Sequence, residues 1–377
     1  MSHLIITREF PPQDGGIAIA AAQIAKHLAI RNHKVHVLTW QDQGNWGDHF
    51  DDAIQPYTIT RLPRCRSRWS TILTLFGAAL KIVLRHRIRR VYATTWNFSG
   101  VAAAFLWYLC RVPFIVLSYG YEISPPALHS SDRFLMRWCF HAARRILASS
   151  RYTAEMIQRT DPSLKNVSVI FPGVDARLFH PSVNIKKVQE CYGLYGKKVL
   201  ITVARLFGRK GHRQVLQALS LIHQKVPNVF YLIVGEGEER GRIVQQIREL
   251  RLESAVRLVG MVPNEDLPFF YAASDVFILP NYEVTDPKDP WVGDYEGFGI
   301  VFVEAAACGK PVIAGRSAGA LDAIKDGETG LLVDPFDPDA IAEAILRLLK
   351  DESLAHSMGR AGRKRVEREF DWPVLLE

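Results

Sequence analysis

Short, nearly unbroken apolar runs rich in β-branched residues alternate along this chain with stretches whose apolar residues recur every three to four positions. The runs predict strands at 4–7, 34–39, 91–94, 114–118, 146–148 and 167–171 in the first half. In the second half they predict strands at 199–204, 229–234, 256–259, 276–279, 311–314 and 331–333. The periodic stretches between them predict helices, among them 17–29 and 213–223. Strands apolar on both faces and separated by helices call for parallel sheets covered on both sides. Two successive sets predict an α/β chain of two doubly wound, Rossmann-like domains. The change of domain is expected between Phe179 and Lys197, where Pro181, Gly193 and Gly196 break the pattern, giving domains 1–182 and 183–377. Ligands of open parallel sheets bind beyond the carboxyl ends of the strands, so the expected site is a cleft between two such edges.

Composition narrows the class. A hydrophobic share of 48% and a charged share of 23% are those of a folded chain and exclude a disordered one. Five cysteines (Cys65, Cys110, Cys139, Cys191, Cys308) have no paired spacing, against a disulfide framework or structural zinc and in keeping with a reducing cytosol. The first residues read as a strand with no basic and apolar leader before it, so no signal peptide is expected. The apolar runs at 70–84 and 101–110 fall short of the roughly 20 residues of a spanning helix. The expectation is a cytoplasmic protein, soluble or peripheral on the inner face of the cell membrane.

The net charge of +8 is unevenly placed. Residues 1–180 hold 22 Lys+Arg against 11 Asp+Glu, whereas 181–377 hold 25 against 28. Much of the excess lies in Arg61, Arg64, Arg66, Arg68, Lys81, Arg85, Arg87, Arg89 and Arg90, with Trp69 and Phe76 among them. Two readings stay open: a solvated helix face, or contact with anionic lipid at about 1 kcal/mol per basic residue. No nucleic-acid motif accompanies the charge, and no nucleic-acid partner is expected.

The candidate chemistry sits at strand ends. After the first strand, Gly15-Gly16 precedes a helix, where a bare backbone and a helix N-terminus can approach phosphate or an acceptor. Arg205 and Lys210 follow the strand at 199–204, placed to converge on one diphosphate as a fixed fork and a mobile point charge. Gly235-Glu236-Gly237 reads as a tight loop beside a ligand, and it lacks the third glycine of a dinucleotide fingerprint. In Glu296-Gly297-Phe298-Gly299-Ile300-Val301-Phe302-Val303-Glu304 two glycines open a helix expected from about Ile300 to Cys308. Glu296 stands before that helix and Glu304 one turn inside it. A carboxylate among Val301, Phe302, Val303, Ala305 and Ala306 is expensive unless it accepts good hydrogen bonds, which vicinal sugar hydroxyls provide.

Glu296 and Glu304, seven residues apart, match the E-x7-E motif of retaining glycosyltransferases with the GT-B fold. The order Gly15-Gly16, Arg205/Lys210, Gly235-x-Gly237, Glu296 and Glu304 resembles glycosyltransferase family 4 over nearly the whole chain. Within it, Phe10-Pro11-Pro12-x-x-Gly15-Gly16-Ile17 and the Glu296-Gly297-Phe298-Gly299 segment most resemble the phosphatidylinositol mannosyltransferase branch. The resemblance implies that Glu304 binds the ribose hydroxyls and that Arg205 and Lys210 bind the diphosphate. It gives Glu296, with backbone N–H groups of Phe298, Gly299, Ile300 and Val301, the donor sugar and β-phosphate. Gly16 and Gly235 line the donor, and Val262 contacts the base through its backbone. It further implies a hexosyl group moved with retention from a GDP- or UDP-linked sugar to a hydroxyl acceptor, mannose being slightly favoured. The acceptor is expected to be a lipid-linked glycan or phospholipid, and no cofactor or essential metal is expected.

One departure concerns Tyr119 in Ser118-Tyr119-Gly120, where relatives carry histidine. Tyrosine can still hydrogen-bond a sugar hydroxyl but cannot become a cation near neutral pH. The proline-broken run from Tyr282 to Trp291 reads as a loop over the cleft. Two other readings remain: an enzyme like a UDP-GlcNAc 2-epimerase, and a non-catalytic nucleotide-sugar binding protein.

Overall fold

A computed structural model describes residues 1–13, 15–41, 50–123, 130–286 and 289–376. The chain divides into two compact units: Met1–Pro172 with 286–293 and the residues from Leu375 on, and Gly173–Thr285 with Asp294–Val374.

In the first unit seven strands form one parallel sheet: β1 (Ser2–Ile6), β2 (Lys34–Trp40), β3 (Thr58–Leu62), β4 (Arg90–Ala93), β5 (Phe114–Ser118), β6 (Arg145–Ala148) and β7 (Val167–Val169). Their order is β3-β2-β1-β4-β5-β6-β7, with Leu4 opposite His36 and Val91. The central strands are buried on both faces, which is why they read as continuous apolar runs. Helices α1 (Gly16–Ile30), α2 (Arg68–His86), α3 (Val101–Cys110), α4 (Ser130–Ala142) and α5 (Arg151–Thr160) connect them. On α2, Ile72, Leu75, Ala79 and Val83 face the core, and Ser67 closes a capping box with Ser70. β3 was not expected: as an edge strand with half-exposed residues, its Thr-Ile-Thr-Arg-Leu carries no apolar run.

In the second unit β8 (Lys198–Val203), β9 (Val229–Val234), β10 (Val256–Gly260), β11 (Val276–Leu279) and, later in the chain, two more strands form a second parallel sheet. Between β11 and that last pair the chain makes a two-stranded ribbon, β12 (Val284–Asp286) and β13 (Asp289–Asp294). The sheet closes with β14 (Val312–Gly315) and β15 (Gly330–Val333), in the order β10-β9-β8-β11-β14-β15. Helices α6 (Lys186–Tyr192), α7 (His212–Ile222), α8 (Arg240–Glu249), α9 (Leu267–Ala272), α10 (Ile300–Ala307), α11 (Ala320–Ala323), α12 (Pro338–Lys350), α13 (Glu352–Arg365) and α14 (Trp372–Leu375) complete it. Both sheets change direction at one point, between β1 and β4 and between β8 and β11, where open α/β sheets bind ligands.

The compact units change at Pro172/Gly173, where 182/183 was expected from the sequence. The segment that follows is tied to the C-terminal helices: Val174 N–H donates to Phe370 O at 2.8 Å, Ala176 N–H to Asp371, and Arg363 to Phe179 O at 2.7 Å. The run from Tyr282 to Trp291 is the β12–β13 ribbon rather than a loop, with Pro287 and Lys288 outside the described residues. Glu283 anchors its base by accepting from Ala318 N at 2.9 Å.

Candidate active site

Because its strands are parallel, the second unit delivers all its chain exits after strands to one edge, and α10 runs back with its N-terminus at that edge. After β8, Arg205 is exposed, its guanidinium 4.8 Å from the Phe207 ring centroid. The chain then makes a tight turn at Gly208–Lys210 and enters α7 through Gly211. Gly211 has φ of 76°, and a Cβ there would lie 2.3 Å from Pro280 O, so only glycine lets the turn sit under the exit of β11.

That turn buries two cations against one carboxylate. Lys210 pairs with Glu296 Oε2, and Arg209 Nη1 lies 3.3 Å from the same oxygen. Arg209 Nε also lies 2.8 Å from Asp294, at the end of β13, without the alignment of a hydrogen bond. Glu296 is 14% exposed at its side chain and Lys210 10%. Burial raises the Glu296 carboxyl, but Lys210 and Arg209 outweigh it and hold the group below its ordinary value. Burial pulls the Lys210 ammonium down, against the attraction of Glu296. The site is thus a preformed cationic turn whose two charges face Glu296 and Asp294. Arg209 was not singled out from the sequence, where an arginine next to a lysine reads as one more solvated cation.

Gly299 has φ of 81° and opens α10 with no side-chain cap. A Cβ on it would come within 2.4 Å of the Phe302 ring. Phe298, Ile300 and Val301 stand at this turn, Phe298 buried with its ring 5.7 Å from Phe370. Gly319 N–H donates to Glu296 O at 3.0 Å and fixes the loop from the other side. One turn into α10, Glu304 is buried, and Tyr271 of α9 donates its hydroxyl to Glu304 Oε2 at 2.7 Å. Burial pushes Glu304 up to about 7, and the Tyr271 hydrogen bond pulls it back. The two glutamates therefore have separate partners.

Gly235 and Val262 lie on neighbouring exits of the same edge. Gly235 N–H donates to Gly260 O at 2.8 Å, and a Cβ on Gly235 would lie 2.0 Å from Ala204 O. Its bareness, and that of Gly237 against Leu206, serves close packing of the β8 exit. Val262 is half-buried after β10.

The first unit carries its own site features at the carboxyl edge. Gly15 has φ of 152° and precedes α1, and a Cβ on Gly16 would meet nothing within 4 Å. Asp14 lies outside the described residues. A cavity of 510 Å³ opens beside them, lined among others by Arg8, Glu9, Trp40, Arg64, Arg66 and Arg68. Arg8 stacks 5.2 Å from the Phe98 ring, and Arg68 is paired with Asp132. Tyr119 packs its ring against the apolar cluster around Ile5, Phe10 and Leu117. Its hydroxyl is buried and meets no partner among the described residues. Glu122, also missed from the sequence, is buried and accepts from Tyr119 N–H at 3.0 Å. Among the described residues no group of three metal-ligating side chains converges.

Of the basic run, Arg61 is bound to Asp52 and to Pro11 O and serves the fold. Lys81, Arg85, Arg87 and Arg89 are exposed, beside exposed Trp69, Leu73 and Leu84 of α2. No helix among the described residues is long and apolar enough to cross a membrane.

Known proteins sort with this geometry. Residues 187–365 match the model of glycosyl transferases group 1, and residues 14–178 that of glycosyltransferase family 4. A GDP-mannose-dependent alpha-(1-6)-phosphatidylinositol monomannoside mannosyltransferase of Mycolicibacterium smegmatis is 30% identical, over 98% of this chain and 94% of its own. A D-inositol 3-phosphate glycosyltransferase of Corynebacterium diphtheriae is 26% identical, over 96% of this chain and 88% of its own. Among solved structures, Anabaena Alr3699/HepE in complex with UDP superposes with a TM-score of 0.82 at 22% identity, covering 100% of this chain and 97% of that one. With two parallel α/β units and both family models in their expected order, the chain has the GT-B fold and belongs to the group 1 and family 4 glycosyltransferases, within the branch that resembles phosphatidylinositol mannosyltransferases.

Proposed function

We propose that this enzyme transfers a hexosyl group, mannose from GDP-mannose in the first instance, with retention, to a hydroxyl of a phosphate-bearing, lipid-linked acceptor. The observation that carries the donor half is the buried turn of Lys210 and Arg209 on Glu296, at the point where the second sheet changes direction. Cations fixed in a shielded site stabilise charge building on a departing diphosphate without reorganising. Lys210 and Arg205 take the diphosphate, Glu304 the ribose hydroxyls, and Glu296 with the backbone at Gly299 and Ile300 the transferred sugar. Gly235 acts by packing the β8 exit, and Val262 faces the base. The relatives named for GDP-mannose favour that donor, and the neighbour holding UDP keeps a UDP-sugar as the second candidate. No metal is given a role, and the leaving phosphate itself accepts the acceptor proton on the same face.

The acceptor half rests on the first unit. Four arginines and one glutamate around a 510 Å³ cavity fit a phosphorylated polyol: the guanidinium forks take phosphate and Glu9 takes hydroxyls. Gly16 gives the donor phosphate or the acceptor open backbone, and the Tyr119 hydroxyl, which meets no partner among the described residues, is offered to a sugar hydroxyl. The exposed basic and apolar residues of α2 support docking on an anionic membrane from its cytoplasmic side.

The test is a panel of GDP-, UDP- and ADP-sugars scored by thermal shift and then by transfer to phosphatidylinositol, inositol phosphate and inositol. Stabilisation follows affinity. GDP-mannose with a phosphorylated acceptor should give product, and Arg64→Gln with Arg66→Gln should raise KM for the phosphorylated acceptor alone. Equal use of unphosphorylated inositol would refute the acceptor half.

A further inference from the structure

Glu304, given the ribose above, is already held by a tyrosine side chain from α9. Tyr271 is fully buried, and its ring is fixed between Phe179 at 5.9 Å and Phe277 at 5.8 Å. Its backbone carbonyl accepts from Ser274 Oγ at 2.8 Å. The hydroxyl therefore has one direction in which to donate, and Glu304 Oε2 lies there at 2.7 Å. That bond engages one carboxylate oxygen and leaves the other to accept elsewhere, since a carboxylate accepts several hydrogen bonds. A carboxylate buried this deeply is stable only with its lone pairs met.

We propose that Tyr271 is a positioning residue for the nucleotide: it holds one oxygen of Glu304 so that the other meets the ribose hydroxyls. This rests on the ribose role of Glu304 and adds to it a residue and a pH dependence. Only the ionised carboxylate can accept from Tyr271 and from both ribose hydroxyls together. Burial pushes Glu304 up to about 7, and Tyr271 opposes it. The other ionisable groups around it come from several elements. On its own helix end stand Cys308, whose thiol burial pushes up to about 12, and Lys310 beyond it. On α13 and the turn after it, Arg363 is paired with Glu367 and Arg365 with Glu369, and Arg363 also caps Ala307 O. From α11 comes Asp322, whose carbonyl accepts from Arg365. Tyr271 alone among them is hydrogen-bonded to the carboxylate.

A ligand that needs the ionised form loses affinity as pH falls below about 7, tenfold per unit once protonation dominates. Losing a hydrogen bond to the charged form moves the midpoint up by about one pH unit or more.

The experiment measures, by calorimetry between pH 5.5 and 9, the affinities of GDP and UDP and of their 2′,3′-dideoxy counterparts. Each pair shares one diphosphate, so phosphate titration cancels in the ratio. In the unmodified enzyme the ribo/dideoxy ratio should be high above pH 7 and collapse below it. Tyr271→Phe should shift that midpoint up by about one unit, and Glu304→Gln should flatten the ratio. Labelling with 3-fluorotyrosine keeps the volume nearly constant and strengthens the donor, so it should lower the midpoint even where Tyr271→Phe folds poorly. A midpoint unmoved by both changes overturns the role of Tyr271 and leaves the ribose reading standing. A ratio near one at every pH in the unmodified enzyme overturns the ribose reading itself.

Discussion

Replacing Lys210 by methionine keeps most of the stem and deletes the ammonium that Glu296 holds. Removing one partner of a buried ion pair costs about 3–5 kcal/mol, because the other charge stays buried. Here Arg209 remains 3.3 Å from the same oxygen, so the loss of stability should be lower, about 2 kcal/mol. The loss of diphosphate affinity is a separate quantity. A charge-assisted hydrogen bond contributes about 1.5–3 kcal/mol, which is roughly 10- to 150-fold in Kd. Calorimetry with GDP, GMP and guanosine separates the two effects: GDP should lose this factor, GMP less, and guanosine nothing. Adding Glu296→Gln should recover part of the stability, since no carboxylate is then stranded and Arg209 keeps Asp294, but none of the GDP affinity. Unchanged GDP binding in Lys210→Met, or an equal loss for guanosine, would refute the diphosphate site.

Three further outcomes follow from the geometry. Gly211→Ala forces a Cβ to 2.3 Å from Pro280 O at a φ of 76° and should destabilise by about 2 kcal/mol or more, whereas Gly16→Ala, with nothing within 4 Å, should leave the melting temperature nearly unchanged. Burial lowers His3 and His212 to about 4, so the unfolded chain binds more protons between pH 6.5 and 4; stability should fall as pH drops through that window, and His212→Gln should flatten part of the slope in a melting series. Reversing Lys81, Arg85, Arg87 and Arg89 to glutamate should abolish flotation with anionic liposomes and leave GDP binding intact; flotation that persists would make the patch a solvated face.

The core strands were legible because burial on both faces leaves an unbroken apolar run, as in β9, and the glycine-bounded α10 ended within one residue of its expected limit. What was not legible depends on contacts distant in sequence. β3 is an edge strand, so its Thr58 and Thr60 need no apolar pattern. The β12–β13 ribbon is tied down by Glu283 and Asp294 through partners elsewhere in the chain, Ala318 and Arg209. Gly235 read as part of a tight loop beside a ligand, and why it must be glycine, the close approach of Ala204 O, shows only in the fold. Arg209 and Tyr271 carry no local mark in the sequence. Only their distant partners, Glu296 and Glu304, give them a place in the site.

Transfer of a hexose with retention from a nucleotide sugar to a phosphate-bearing acceptor can be read from the anomeric configuration of the product, by NMR, after incubation with GDP-mannose and phosphatidylinositol. GDP release should require the acceptor, and a new α-linked mannosyl product should form. Donor consumed without any acceptor product, or a β-linked product, would contradict it.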